Sequence, residues 1–305
     1  MDVVIVGSVA LDSIETPSGS VERALGGAAT YASIAASYFA KAGVVGVVGG
    51  DFSKKHIATL RKRGVDLEGL EIVPGGKTFF WRGRYHANLN ERDTLETQLN
   101  VFQTFSPKIP PPYRRRPFLL LGNIHPQLQL NVLDQVTRPR LVLCDTMNLW
   151  IETTLEPLHR LLRRVDVLCV NDGEARQLSG QASVPAAAEW LLKAGLKRVI
   201  VKRGEHGCSI YGRRGFFSIP ACPVHQPVDP TGAGDSFAGG FLGYLASRGR
   251  LDENALRQAL VVGSVMASFC VEGFSVGKML RLKPSDIAGR CRELHRAVQF
   301  QPIRL

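Results

Sequence analysis

The sequence predicts an α/β fold built on a mostly parallel central sheet, and three observations carry that prediction. Short runs rich in Val and Ile alternate with segments of helix length. The 305 residues are 45% hydrophobic and 21% charged, so there is ample apolar material for a core. Two segments break the rhythm by alternating apolar with polar residues. In chain order, residues 2–7 (DVVIVG), 43–49 (GVVGVVG), 118–122 (FLLLG), 141–145 (LVLCD), 165–171 (VDVLCVN) and 198–204 (RVIVKRG) read as strands. They are apolar at nearly every position, as strands covered on both faces must be. Apolar periodicity places helices between them at about 28–40, 51–63, 126–137, 155–164 and 184–195, and three more at about 234–248, 252–271 and 284–298.

The two irregular segments are 13–25 and 77–105, which look like antiparallel strands that leave the α/β core and return to it. A small sheet made from them would sit over the carboxyl ends of the parallel strands, where open α/β sheets bind ligands. An edge hairpin without function is the plainer alternative. The Pro-rich stretch 107–117 returns the chain to the core. With no repeat or linker in view, the expectation is a single domain over 1–305 with a β-lid.

Other classes are disfavoured. The net charge of +11 invites a nucleic-acid reading through Arg114–Arg116 or Arg61–Arg63, but the excess is spread along the chain and no stacking-aromatic motif accompanies it. An anionic small molecule explains the charge as well. No apolar stretch approaches the roughly 20 residues of a membrane-spanning helix. MDVVIVGSVALD lacks the basic start and long apolar run of a secretory signal. Six scattered cysteines show no metal-ligand spacing, and the seven histidines no HxH or HExxH pattern; His125 reads as a strand-end residue. The expected compartment is the cytoplasm.

The chemistry concentrates in Asp229-Pro-Thr-Gly-Ala-Gly-Asp-Ser-Phe-Ala-Gly-Gly-Phe241. Pro230 cannot sit inside a helix, and Gly232-Ala233-Gly234 offers backbone with little side-chain bulk before a small-residue helix. Free amides at a helix N-terminus make an anion site. Asp235 would stand beside that anion, and the helix dipole favours its ionised form, so it is expected to stay a proton acceptor near neutral pH. A base beside a phosphate cradle is what phosphoryl transfer to an alcohol requires. Two Asp residues at a helix start are also ordinary caps.

The full DPTGAGDSF run resembles the C-terminal signature of the PfkB/ribokinase family of carbohydrate and nucleoside kinases. The resemblance continues in order along nearly the whole chain. It implies a ribokinase-like three-layer αβα fold with a small β-lid, and an ATP-dependent kinase using Mg2+. Gly26-Gly27-Ala28-Ala29-Thr30-Tyr31 is similar to the family's acceptor-side Gly-Gly turn, although the Lys and Asn of ribokinase-like members are absent and Tyr31 stands in the Asn position. Asp12 matches the family's acceptor-binding Asp. Asn171-Asp-Gly-Glu174 matches its Asn-x-x-Glu element: Glu174 would hold Mg2+ through water and Asn171 would order phosphates, while a helix cap is the structural alternative. Lys202, Arg203 and Gly204 fall where the family contacts nucleotide phosphates, with two cations where relatives are neutral. Asp145-Thr-Met-Asn148 resembles a segment near acceptor and metal. Asp229, Thr231, Ser268 and Gly273 fall where some relatives hold a monovalent cation such as K+.

The implied mechanism has Asp235 as general base, the amides of Gly232, Ala233 and Gly234 as anion hole, and adenine against 261–276. A sugar or sugar-like acceptor would be held by Asp12, Gly26, Gly27 and Tyr31 under the lid. Rivals are a nucleoside kinase whose lid aromatics Phe79, Phe80, Trp81 and Tyr85 clamp a base, a kinase of a vitamin precursor, and a non-catalytic ligand sensor. A dinucleotide oxidoreductase is disfavoured because GSVALD lacks a GxGxxG turn. An exposed lid sheet often pairs between subunits in the family, so the resemblance also allows a homodimer through the lid.

Overall fold

The computed structural model describes residues 2–299 and 301. Along the chain, β1 (Asp2–Val6) leads within four residues into β2 (Ala10–Thr16) and β3 (Gly19–Gly26), then α1 (Ala28–Ala36). There follow β4 (Lys41–Gly49), α2 (Lys54–Lys62), β5 (Asp66–Val73), β6 (Phe79–Tyr85) and β7 (Arg92–Gln98). The second half runs β8 (Phe118–Leu121), α3 (Pro126–Leu133), β9 (Leu141–Asp145), α4 (Asn148–Thr153), α5 (Leu155–Leu162) and β10 (Val167–Asn171). It continues with α6 (Asp172–Ser179), α7 (Val184–Lys193), β11 (Arg198–Lys202), β12 (Cys208–Gly212), β13 (Gly215–Ile219), α8 (Ala233–Arg248), α9 (Glu253–Cys270) and α10 (Pro284–Ala297).

A nine-stranded sheet of order β13-β12-β11-β10-β9-β8-β1-β4-β5 forms the middle layer, parallel except for the β12–β13 hairpin at one edge. Its side chains alternate between two cores. Val3, Ile5 and Leu120 pack with α1, α8 and α9, whereas Val4, Val6 and Leu121 pack with residues of α3, α5, α6 and α7. Helices on both faces make this the three-layer α/β architecture the sequence predicts. No helix among the described residues is long and apolar enough to cross a membrane.

The second sheet has the order β3-β2-β6-β7. Its outer pairs are antiparallel, but the central β2–β6 pair is parallel. The expectation of antiparallel strands is corrected on that point: β6 arrives after a crossover through α1, β4, α2 and β5, not through a hairpin. Because β2 continues directly from the carboxyl end of β1, the small sheet begins at the ligand-binding edge of the large one.

Several predicted helices are shorter than expected, for local reasons. Asp51 accepts from the Thr78 amide (2.7 Å) and hydroxyl (2.6 Å), so it is held in a loop and Ser53 caps α2 instead. Three elements escaped the sequence reading: β5, whose Glu68 and Glu71 blur its apolar pattern at the sheet edge, the β12–β13 hairpin, and α4.

Candidate active site

Parallel strands end together, and their last residues therefore meet at one rim. Asp145 closes β9, Asn171 closes β10 and Lys202 closes β11, with Asn171 and Lys202 in register as neighbours. The N-terminus of α8 faces them. Gly232 precedes that helix with φ 77°, a left-handed conformation, and lies flat on the Tyr31 ring, so a Cβ there would collide with the aromatic carbons. A Cβ on Gly234 would stand 2.9 Å from Lys202 Nζ. These two glycines bring backbone and ammonium together.

The bend leaves donors free. The Ala233 N–H donates to the Pro230 carbonyl at 3.1 Å and closes the turn, which corrects its expected place in the anion hole. The N–H groups of Gly232 and Gly234 have no protein acceptor among the described residues. They remain available to an anion.

Beside them a polar cleft of about 220 Å³ is lined by Asp145, Asn171, Glu174, Lys202, Gly234 and Asp235, all of which the sequence singled out. The cleft also takes in Ser8, Asn123, Thr146 and Arg92. Ser8 and Asn123 sit just past β1 and β8, so strand-end position alone would have found them. Thr146 belongs to the Asp145–Asn148 segment, and its hydroxyl is buried without a partner. Arg92, from β7, carried no signal in the sequence.

Burial dominates the electrostatics. It pushes the Asp235 carboxyl up to about 7, Asp145 adds to the shift, and Lys202, the residue's own N–H and Arg92 oppose it. The dipole effect expected to keep Asp235 ionised is thus outweighed by desolvation. The group is instead poised near neutrality, where a general base works best. Glu174 is likewise pushed up to about 7 by burial and by Asp145. Burial pulls the Lys202 ammonium down, but Asp145 (3.7 Å away), Cys169, Glu174 and Asp235 outweigh it and hold it firmly protonated.

Asn171 and Glu174 form a reciprocal cap on α6. The Glu174 N–H donates to Asn171 Oδ1 at 2.7 Å and the Asn171 N–H to Glu174 Oε2 at 2.8 Å. The structural alternative is therefore real, and it leaves the Asn171 NH2 and Glu174 Oε1 outside the cap, in two residues that line the cleft.

The expected acceptor residues lie elsewhere. Asp12 on β2 is 4% exposed and Tyr31 1%, and neither they nor Gly26 and Gly27 line the open cleft. Asp12 is packed on Gly26 and accepts from the Gly27 N–H; burial, with Asp229 and Asp235, pushes its pKa up to about 7. Tyr31 forms the floor under the anion bend, its hydroxyl without a partner.

Three further residues have partners within the fold. Arg203 reaches Ser218 (3.2 Å) and Ser209 (3.4 Å) of the edge hairpin, not the cleft. Ser268 accepts from Arg290 at 3.0 Å and donates to the Val265 carbonyl at 2.7 Å, so its hydroxyl is engaged within the fold. Asp229 is fully buried and accepts from the Thr231 and Ser275 amides at 2.9 and 3.1 Å, so it braces the bend. Gly273 packs near Lys278 and Gly204 near Asn90 of the small sheet's hairpin. The aromatic clamp is largely absorbed by packing: Phe79 stacks on Phe102, Phe80 is buried, and Tyr85 accepts a 3.0 Å hydrogen bond from the Thr231 hydroxyl. That last bond ties the small sheet to the anion bend. His125 caps α3, accepting from the Gln127 N–H at 3.1 Å, as a strand-end residue should.

Comparison with known proteins points the same way. The family description "pfkB family carbohydrate kinase" matches residues 1–81 and 134–281. A cytidine kinase of Thermococcus kodakarensis is 34% identical over 268 residues, covering 85% of this chain and 94% of that protein. Among solved structures, Burkholderia thailandensis nucleoside kinase in complex with inosine superposes with TM-score 0.77 at 20% identity, over 98% of this chain and 100% of that one. Aminoimidazole riboside kinase from Salmonella enterica, complexed with aminoimidazole riboside and an ATP analogue, gives 0.74 at 21%, over 95% and 100%. These two share the ribokinase-like fold. The chain belongs to the pfkB family of carbohydrate kinases, phosphotransferases whose acceptor is an alcohol.

Proposed function

We propose that the chain transfers the γ-phosphate of MgATP to a hydroxyl of a sugar or sugar-like small molecule, with Asp235 as general base. The observation that carries this reading is the convergence of Asp235, the free Gly234 amide and the Lys202 ammonium on one cleft, with the free Gly232 amide in the bend beside it. A carboxyl near 7 accepts a hydroxyl proton at physiological pH, and fixed amides stabilise charge on the transferring group. The acceptor oxygen attacks the γ-phosphorus in line, the bond to the bridging oxygen breaks, and ADP leaves.

The donor set fits Mg2+, a cation that prefers oxygen ligands and keeps its waters: Glu174 and Asp145 line the cleft with carboxylates. When bound, the ion would neutralise phosphate charge. Glu174 would orient it through water. A second cavity of about 580 Å³, lined by Cys222, His225, Gln226, Glu272, Lys278 and Arg290, borders the 261–276 segment and offers space at the adenine end. Bringing Asp12 to an acceptor requires the small sheet to shift, so that sheet acts as a lid that excludes water once closed. Its outer strand β7, exposed at all seven residues, is the edge through which two copies would pair.

A second reading, a nucleoside as acceptor, is favoured by the cytidine kinase relative, which is matched over 94% of its length. Both readings are tested by ADP release from MgATP across hexoses, pentoses, polyols and nucleosides. Turnover confined to one class assigns the acceptor. Nucleotide binding without turnover on any compound would contradict the kinase reading for these classes.

A further inference from the structure

The cleft has an unusual charge balance. Asp145, Glu174 and Asp235 are met by only two cations among its described lining residues, Lys202 and Arg92. Lys202 is already shared with Asp145 at 3.7 Å, and Arg203 is turned toward the edge hairpin. Arg92 differs from its neighbours on the small sheet. Arg82 pairs with Glu22 at 3.1 Å and Arg84 with Glu15 at 2.8 Å, whereas Arg92 has no carboxylate within ion-pair distance among the described residues. It stands across from Tyr85 in the β6–β7 ladder, and its guanidinium lies 6.0 Å from the Trp81 ring. Tyr85 in turn is bonded to Thr231 in the anion bend. A guanidinium that has no carboxylate partner and is hydrogen-bonded to the Tyr85 hydroxyl is thus held by the small sheet over a cleft of carboxylates.

We propose that Arg92 is a catalytic residue: a lid-borne cation that contacts the γ-phosphate of the nucleotide when the small sheet is closed. The proposal rests on the kinase reading above. A guanidinium presents several N–H donors in a planar fork that matches phosphate oxygens, and it stays charged at every working pH. It takes no part in bond making. As the acceptor oxygen bonds to phosphorus and the bridging oxygen departs with ADP, the hydroxyl proton goes to Asp235 and Arg92 balances charge on the moving group. An open lid removes that charge, so ATP hydrolysis without acceptor is suppressed.

The test is Arg92→Ala beside Arg92→Lys and Asp235→Asn, with nucleotide affinity measured by calorimetry. Arg92→Ala is expected to lower kcat about 100-fold or more, the scale of losing one preorganised charge donor, with Lys restoring part of it. Its affinity for the Mg2+ complex of AMP-PNP should fall about ten-fold while ADP affinity stays within about two-fold, because only the former carries a γ-phosphate. Added guanidinium should recover turnover in Arg92→Ala, a rescue that a purely structural role would not allow. Equal losses for AMP-PNP and ADP, or a loss confined to acceptor KM, would overturn the assignment; the latter would mark Arg92 as an acceptor contact. Full activity of Arg92→Ala with Asp235→Asn inactive sinks this inference alone, whereas full activity of Asp235→Asn sinks the reading beneath it.

Discussion

The two ends of the catalytic region are built differently. At the phosphate end, Asp145, Glu174, Lys202 and Asp235 surround an open cleft, and each comes from the end of a sheet strand or the first turn of a helix. At the proposed acceptor end, Asp12 and Tyr85 of the small sheet are buried against Tyr31 of α1 and Asp229 of the anion bend. The first half is preformed; the second is held closed by the Thr231–Tyr85 bond and packing. On the proposed reading, the difference teaches that the phosphate chemistry is fixed by the scaffold, while acceptor choice depends on how the small sheet packs on it.

That contrast can be broken at the point where the halves touch. Gly232→Ala places a Cβ against the Tyr31 ring at φ 77°, so both backbone strain and overpacking act on the anion bend. Stability is expected to fall by about 2–4 kcal/mol in denaturant unfolding, with turnover falling further as the free amides are displaced. A change below about 0.5 kcal/mol would show that the bend is not braced by Tyr31.

A pH titration sharpens the same comparison. Asp12, Glu174 and Asp235 each have a folded pKa near 7, above the ordinary carboxyl value. The folded state therefore binds more protons than the unfolded state between about pH 4 and 7, and stability falls as pH rises through that window. Thermal melts of the ligand-free protein should show a lower Tm at pH 8 than at pH 5.5, and Asp235→Asn should narrow the gap. The opposite slope would mean that these carboxyls are ionised well below 7.

The smallest effect is expected from Tyr85→Phe, which removes the hydroxyl that accepts from Thr231 at 3.0 Å. The loss is about 1 kcal/mol of closed-lid stability, seen as a few-fold rise in acceptor KM with kcat nearly unchanged. A matching fall in kcat would place Tyr85 in the chemistry itself.

The same contrast explains what the sequence made legible. The parallel strands were readable because double burial makes them apolar throughout, and the DPTGAGD bend because glycine spacing and a helix start leave a local signature. Asp145, Asn171 and Lys202 were readable as strand ends. Arg92 was not, since its placement depends on how β6 and β7 fold back over the cleft. Nor was the burial of Tyr31 under Gly232, a contact between residues about 200 positions apart in the chain. The pKa of Asp235 was misjudged for a related reason: the dipole is local and visible in sequence, but desolvation is set by everything packed around the group.

The most direct test of the account is kcat of Asp235→Asn against the parent enzyme on the accepted substrate, with nucleotide affinity and Tm measured on the same preparation. Loss of a proton acceptor at the reacting hydroxyl should reduce kcat by about 10²–10⁴-fold. Nucleotide affinity should change little and Tm at pH 8 should rise, because a buried carboxyl that resists ionisation has been replaced by a neutral amide. Turnover within about two-fold of the parent, with the fold and nucleotide binding intact, would contradict Asp235 as the base and with it the proposed organisation of the site.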